Sequence, residues 1–386
     1  MNRCVAFACL IGALTGFWAL APVAAARQPD VPSPPSLGAA SYVLMAYQSG
    51  QTLAAQHADR ELPPGSVSKL MVGYIVFGEI RAGRLSPETE VTVSEKAWRM
   101  HGPQMFLEVG DEVSIDALLH GLITTSGNDA AVQLAQYIAG TTRTFVTYMN
   151  QYAQRLNLTH SHFANVTGQP AKGEYVSAAD VARLYAAMLR RFPQLYRRYY
   201  SQKSFTYNGI HQYNRNSLLW ADPRVGGGIV GADKAAGYHL AASARHDGTR
   251  VIAVVLGARS ARARKHECDA LINYAFRFYR NGVLWPAGQP VKRMRVWKGD
   301  ADQVAVMAKG PVNVTYPRGQ RDALVYRARL PVHLIAPIHK GERLGELRIL
   351  YNERLLKDVP LYAGATVGPG NVVTRVYDDL RLMLGA

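Results

Sequence analysis

The chain has 386 residues, 48% of them hydrophobic and 19% charged. That suits two or three domains with a sizeable core and excludes a wholly disordered chain or a collagen-like repeat. Lys and Arg number 44 against 28 Asp and Glu, a formal net charge of +16, which favours anionic partners (nucleic acid, acidic lipid or a cell-wall polymer) without choosing among them.

Residues 1–26 read as a signal peptide. Arg3 supplies the positive start, an apolar stretch runs from Val5 to Leu20, and Ala24-Ala25-Ala26 is a small-residue cleavage site. The apolar run is short for a membrane span, and no later stretch approaches the ~20 residues a span needs. Export weighs against a nucleic-acid partner. Of the three cysteines, Cys4 and Cys9 lie in the signal, so the mature chain keeps only Cys268, read as a buried structural thiol. No intrachain disulfide and no thiolate zinc site can be built from it, and no cofactor is expected.

Residues 27–37 form a Pro-rich extended linker. Residues 41–45 and 52–55, joined by Tyr47-Gln48-Ser49-Gly50, predict a hairpin. From Ser66 the spacing of Leu70, Met71, Tyr74, Ile75 and Phe77 is helical, and further helical stretches cover 114–123, 129–139, 142–156 and 178–192. Strand-like runs return at 237–244 and 251–256. Strands, many helices, then strands predict an α+β domain over 38–284, its chain ends meeting in one antiparallel sheet with helices packed on it. From Trp285-Pro286, short β-type runs separated by Gly and Pro predict a small all-β domain over 285–368. Residues 369–386 turn helical again, with Val372, Val373, Val376, Tyr377, Leu380, Met383 and Leu384 on one side.

Two short patterns carry chemistry. In Ser66-Val67-Ser68-Lys69 the serine and lysine are three apart and share a helix face. A serine hydroxyl is a weak nucleophile until a base takes its proton, and a desolvated lysine amine can do so. In Ser126-Gly127-Asn128 a hydroxyl and an amide two residues apart can point from a turn into one cleft. Each alone also reads as helix capping or an ordinary turn. Gly226, Gly228 and Gly231 spell a dinucleotide fingerprint, but no buried strand precedes them and no long βαβ unit follows, so they read as a tight turn into an edge strand.

The two motifs together, in that order and about 60 residues apart in an exported chain, resemble the penicillin-interacting serine enzymes. Ser41-Tyr42-Val43-Leu44, Met105-Phe106-Leu107, Ser126-Gly127-Asn128-Asp129-Ala130, Phe205-Thr206-Tyr207-Asn208-Gly209-Ile210, Asn214-Arg215-Asn216, Leu218-Leu219-Trp220 and Ala236-Gly237-Tyr238 resemble the exported D-alanyl-D-alanine carboxypeptidases. These are low-molecular-mass penicillin-binding proteins with a β-lactamase/transpeptidase-like domain. The likeness covers roughly residues 38–280 and, more loosely, the β domain. It implies an acyl-enzyme on Ser66, with Lys69 as base, Ser126 as proton relay and Asn128 holding the peptide. It also implies peptidoglycan stem peptides as substrate, β-lactams as acylating inhibitors, and a periplasmic place at the inner-membrane surface through the C-terminal helix. The middle Gly127 resembles these enzymes more than class A β-lactamases. The family's Lys-Thr-Gly is absent: counted back from Gly237-Tyr238, its place falls on Ile229-Val230-Gly231. Arg259 resembles a family arginine near the carboxylate pocket and is expected to supply part of the missing charge. The alternative is a catalytically weak cell-wall scaffold on the same fold.

Overall fold

The computed structural model describes residues 31–384; the signal segment and the start of the linker lie outside them. The first hairpin forms as its turn signal demands: β1 (Ser41–Ala46) and β2 (Thr52–Gln56) pair antiparallel. β1 is not the hairpin's end. It also pairs with β9 (Thr249–Ala258), which is followed outward by β8 (Gly237–His246) and β7 (Val225–Asp233). The sheet order is β2-β1-β9-β8-β7, so the two ends of the domain meet in one antiparallel sheet. From Val251 to Leu256 every side chain of β9 is buried, because helices cover both faces and the strand therefore reads as a continuous apolar run.

One cover is α9 (Ala261–Phe278), lying on β8 and β9. Its Cys268 is fully buried, its Sγ against the Ala253 carbonyl. The other cover comes from the long insertion between β2 and β7. It holds α1 (Lys69–Arg81), β3 (Glu90–Thr92), α2 (Glu95–Trp98), β4 (Glu112–Ser114), α3 (Ile115–His120), α4 (Asn128–Ala139), α5 (Thr142–Arg155), α6 (Ala178–Arg191) and α7 (Pro193–Tyr200). The hairpin β5 (Ser204–Tyr207) and β6 (Ile210–Tyr213) and the turn α8 (Leu218–Ala221) complete it. α1 is buried from Lys69 to Phe77, which is why its sequence is apolar on all sides. Ser114, Thr141, Ser177 and Ser260 cap α3, α5, α6 and α9 by accepting backbone N–H bonds from three residues on.

The all-β domain starts one strand before Trp285-Pro286, since β10 (Tyr279–Trp285) pairs with β13 (Val312–Pro317). A six-stranded sheet follows, made of β11 (Pro290–Trp297), β12 (Gln303–Met307), β14 (Leu324–Arg329), β15 (Leu334–Ile335), β16 (Arg343–Tyr351) and β17 (Arg354–Ala363). Val312 and Val314 of the first pair share a core with Val304, Val306, Ile349 and Leu361 of the second sheet. The last helix, α10 (Val372–Met383), docks by its polar side. Asp378 is buried and accepts from Arg295 Nη2 (3.0 Å) and the Lys298 backbone N–H (2.6 Å), while Lys298 Nζ pairs with Asp379. The apolar side points outward, with Val373 78% and Met383 82% exposed. No helix among the described residues is long and apolar enough to cross a membrane.

Candidate active site

Pro63-Pro64-Gly65 breaks the chain into a short 3₁₀ turn, Gly65–Ser68, that runs directly into α1. Ser66 is half-buried at the mouth of a cleft, and Lys69 lies one turn on, fully buried. Lys69 Nζ meets three oxygens: Ser66 Oγ at 2.9 Å, Asn128 Oδ1 at 2.8 Å and the Thr167 carbonyl at 2.7 Å. No carboxylate lies within ion-pair distance of it among the described residues. Burial lowers the pKa of the amine to about 7 with help from the Arg215 charge, against the opposing pull of Asp129 and Glu174.

The second motif arrives from a strained turn. After α3 the helix widens into one π turn, Gly121–Thr125, and is stopped by Ser126 in the left-handed region at φ 62°. Ser126 Oγ is buried on the cleft wall and finds no hydrogen-bond partner among the described residues. Asn128, at the start of α4, has both ends of its amide engaged: Oδ1 accepts a hydrogen bond from Lys69 Nζ and Nδ2 donates to the His101 carbonyl at 2.6 Å. Those contacts tie it to the lysine and to the His101 carbonyl in addition to the hold on the peptide that the resemblance implies. Next to it, the buried Asp129 carboxylate accepts from the backbone of Met105, Phe106, Leu107 and Ala130, fixing the segment that follows the cleft-lining Gly102 and Pro103 to the N-terminus of α4.

β7 closes the third side. Gly231 approaches so closely that a Cβ there would stand 3.0–3.1 Å from the backbone nitrogens of Val67 and Ser66, so a side chain at this position would push the strand off the nucleophile. The strand alternation turns Ile229 into the core, 3% exposed, while Val230 lines the cleft. Neither brings a charge. Beneath the strand, His239 accepts the Gly257 N–H at Nδ1 (2.9 Å), which leaves its proton on Nε2 to donate to the Pro63 carbonyl (3.0 Å). Burial holds its pKa down to about 4, so the ring stays neutral and ties the nucleophile turn to the sheet.

The cleft is about 660 Å³ and is lined by Ser66, Ser126, Asn128, Thr167, Val230 and Ala232, with two arginines, Arg215 and Arg264, also on its wall. Arg264 donates to Gly231 O at 3.1 Å and lies over the Tyr238 ring, 5.8 Å from its centroid, and neither guanidinium has a carboxylate partner among the described residues. Arg259 is exposed and does not line the cleft. Ser66, Lys69, Ser126 and Asn128 thus converge, Ile229 stands behind the wall, and Arg259 stands apart. Thr167, Arg215 and Arg264 carry no motif signal, although Arg215 sits in Asn214-Arg215-Asn216.

Comparison with known proteins gives this arrangement its kin. The family model described as D-alanyl-D-alanine carboxypeptidase matches residues 28–260, and that of the penicillin-binding protein 5 C-terminal domain matches residues 279–369. D-alanyl-D-alanine carboxypeptidase DacD of Escherichia coli (strain K12) is 38% identical over 363 residues, 92% of this chain and 93% of that protein. DacC of the same organism is 37% identical over 367 residues, covering 93% and 91%. Among solved structures, penicillin binding protein 5 from Haemophilus influenzae superposes with a TM-score of 0.85 at 34% identity, over 87% of this chain and 99% of the other. Penicillin binding protein 6B from Escherichia coli does so at 0.72 and 35%, over 86% and 98%. With the serine–lysine pair in its cleft and both domains matched, the chain belongs to the D-alanyl-D-alanine carboxypeptidase family of serine peptidases.

Proposed function

We propose that the chain removes the terminal D-alanine from peptidoglycan stem peptides through an acyl-enzyme on Ser66. One observation carries the reading: a buried, carboxylate-free lysine amine with a pKa near 7 lies 2.9 Å from the serine hydroxyl. Neutral Lys69 takes the Ser66 proton as Oγ bonds to the carbonyl carbon between the two D-alanines. The Ser66 N–H and a β7 N–H at Ala232 receive the oxyanion. The C–N bond then breaks, and the leaving D-alanine amine takes its proton through Ser126 Oγ. Water hydrolyses the ester, releasing the shortened peptide and restoring Ser66. A β-lactam acylates the same oxygen by opening its ring amide.

The substrate's terminal carboxylate meets Arg215 and Arg264 in place of the Lys-Thr pair that Ile229 and Val230 replace. A charge-assisted bond contributes about 1.5–3 kcal/mol, so a poorer fit weakens recognition roughly 10–100-fold. The apolar Ile229 and Val230 at the expected Lys-Thr place favour a second reading, in which acylation survives on a cell-wall scaffold that releases little D-alanine. In the cell, the protein works in the periplasm with the apolar side of α10 on the outer face of the inner membrane.

Fluorescent penicillin and D-alanine release test these readings together. Ser66→Ala abolishes labelling and Lys69→Ala reduces it at least 100-fold, an order-of-magnitude expectation for a removed nucleophile or base. Labelling by Ser66→Ala removes the nucleophile assignment. Parent labelling without D-alanine release favours the scaffold.

A further inference from the structure

We propose that Glu174 is a positioning residue for acylation: through Asn165 it holds the Thr167 carbonyl on the Lys69 amine. The inference rests on Ser66 and Lys69 being the reacting pair. Glu174 is 7% exposed and lies behind the loop that forms the cleft floor. Its Oε2 accepts from Asn165 Nδ2 at 2.7 Å. Asn165 Oδ1 in turn accepts from Thr167 N (3.0 Å), Thr167 Oγ1 (2.8 Å) and Gly168 N (2.7 Å).

The last of these bonds matters most. The Thr167 carbonyl and the Gly168 N–H belong to one planar trans peptide unit and point in opposite directions. With the N–H drawn back onto Asn165, the carbonyl is aimed the other way, onto Lys69 Nζ at 2.7 Å. Gly168, at φ 74°, permits this: a Cβ there would overlap the Gly65 carbonyl, so the loop sits directly on the nucleophile turn.

The chemistry needs that aim. A neutral amine has two N–H bonds and one lone pair. The Thr167 carbonyl and Asn128 Oδ1 can only accept, so they take both N–H bonds and leave the lone pair facing Ser66 O–H. Without the Thr167 carbonyl the amine is free to turn an N–H toward Ser66 Oγ, the wrong polarity for taking its proton.

Among the described residues Glu174 Oε1 has no hydrogen-bond partner, so the carboxyl can gain a proton there while Oε2 keeps Asn165. Burial raises its pKa to about 7, opposed by the Asn165 side chain, the backbone of Ala164 and Asn165, and the Lys69 charge. The charges facing this pair are Arg215 and Asp129 on the lysine, with Asp233 and Lys234 across the small cavity that Glu174 lines. An ionised Glu174 favours protonated Lys69. Removing that charge therefore moves the acid limb of the acylation profile to lower pH.

The test is the second-order rate of fluorescent-penicillin acylation of the mature chain, measured against pH with thermal unfolding alongside. Glu174→Ala and Asn165→Ala are expected to slow acylation roughly 10–100-fold, and the double variant no further than either. Glu174→Gln keeps an acceptor for Asn165. It is expected to recover the rate to within about threefold and to shift the acid limb downward. A folded Glu174→Ala that acylates at the parent rate overturns the proposal, as does a Glu174→Gln as slow as Glu174→Ala. If Glu174→Ala does not fold, Asn165→Ala and Glu174→Gln decide by the same criteria. Labelling of Ser66→Ala would instead bring down the reacting pair itself, a separate result.

Discussion

An ordinary lysine with a pKa near 10.5 is neutral in roughly one molecule in 3,000 at pH 7, whereas one with a pKa of about 7 is neutral in about half. Complete burial without a carboxylate therefore makes Lys69 a usable base, and acylation should climb as pH rises through about 7. His239 shows the same force acting on a structural residue. Its pKa is 6.5 when unfolded and about 4 in place, so between these values the unfolded chain holds a proton that the folded one lacks. Stability from this group is complete above pH 6.5 and declines by about 1.4 kcal/mol per unit on acidification, about 3 kcal/mol in all. Glu174, whose pKa is raised, runs the opposite way over much of that range and flattens the parent's curve. The difference between parent and His239→Gln isolates the histidine: in urea unfolding at pH 6.5, 5.5 and 4.5, all approximate settings, the variant should gain on the parent at each step down. A constant difference would mean that the ring titrates normally.

At the scale of elements, β7 is where the expected Lys-Thr pair is missing. In the Ile229→Lys, Val230→Thr double variant the threonine hydroxyl stands on the cleft wall and the long lysine stem carries its ammonium from the core side toward the cleft. D-alanine release should therefore rise about tenfold or more, while the melting temperature stays level or falls because the stem replaces a packed isoleucine. An unchanged rate would mean that Arg215 and Arg264 already do the work. The same strand marks the limit of reading from sequence. β1, α1, α4, α5, α6, β8 and β9 were legible because each carries an apolar period or a continuous apolar run. Gly226-Gly227-Gly228 reads as a tight turn into an edge strand, yet pairing with β8 makes these glycines part of the strand itself, which begins at Val225. α9 was hidden because its first turns are basic, and the buried Cys268, Leu271, Ile272 and Ala275 emerge only once it lies on the sheet. In the site, Ser66, Lys69, Ser126 and Asn128 were legible as paired motifs. Thr167 was not, since it acts through a carbonyl that every residue has. Arg264 was not, since its place in the cleft depends on how α9 meets β7.

For the whole molecule, α10 is the feature that relates it to its surroundings. Asp378 and Asp379 face the protein, where Asp378 clamps Arg295 and the Lys298 backbone and Asp379 pairs with Lys298. Arg295 and Arg381 also stack on the Trp297 ring. The clamp fixes the roll of the helix and leaves its apolar side facing outward. Under the membrane-surface proposal, interfacial burial of that side would contribute several kcal/mol, at about 1.5 kcal/mol or more for each side chain fully buried. Cutting the chain after Gly370 should therefore shift it from the membrane fraction to the soluble periplasm with penicillin labelling intact. Equal fractionation of the cut and uncut mature chains would show that α10 is not the anchor.

Cys268 has a practical consequence of its own. It is the one cysteine in residues 31–384, sealed beneath α9, with burial holding its thiol well above the usual range. Assembly of this region thus needs no oxidant, no disulfide isomerase and no shuffling of sulfur bridges. The enzyme can be refolded under strong reductant, and thiol-directed labels should report its unfolding cleanly, silent until α9 lifts from the sheet.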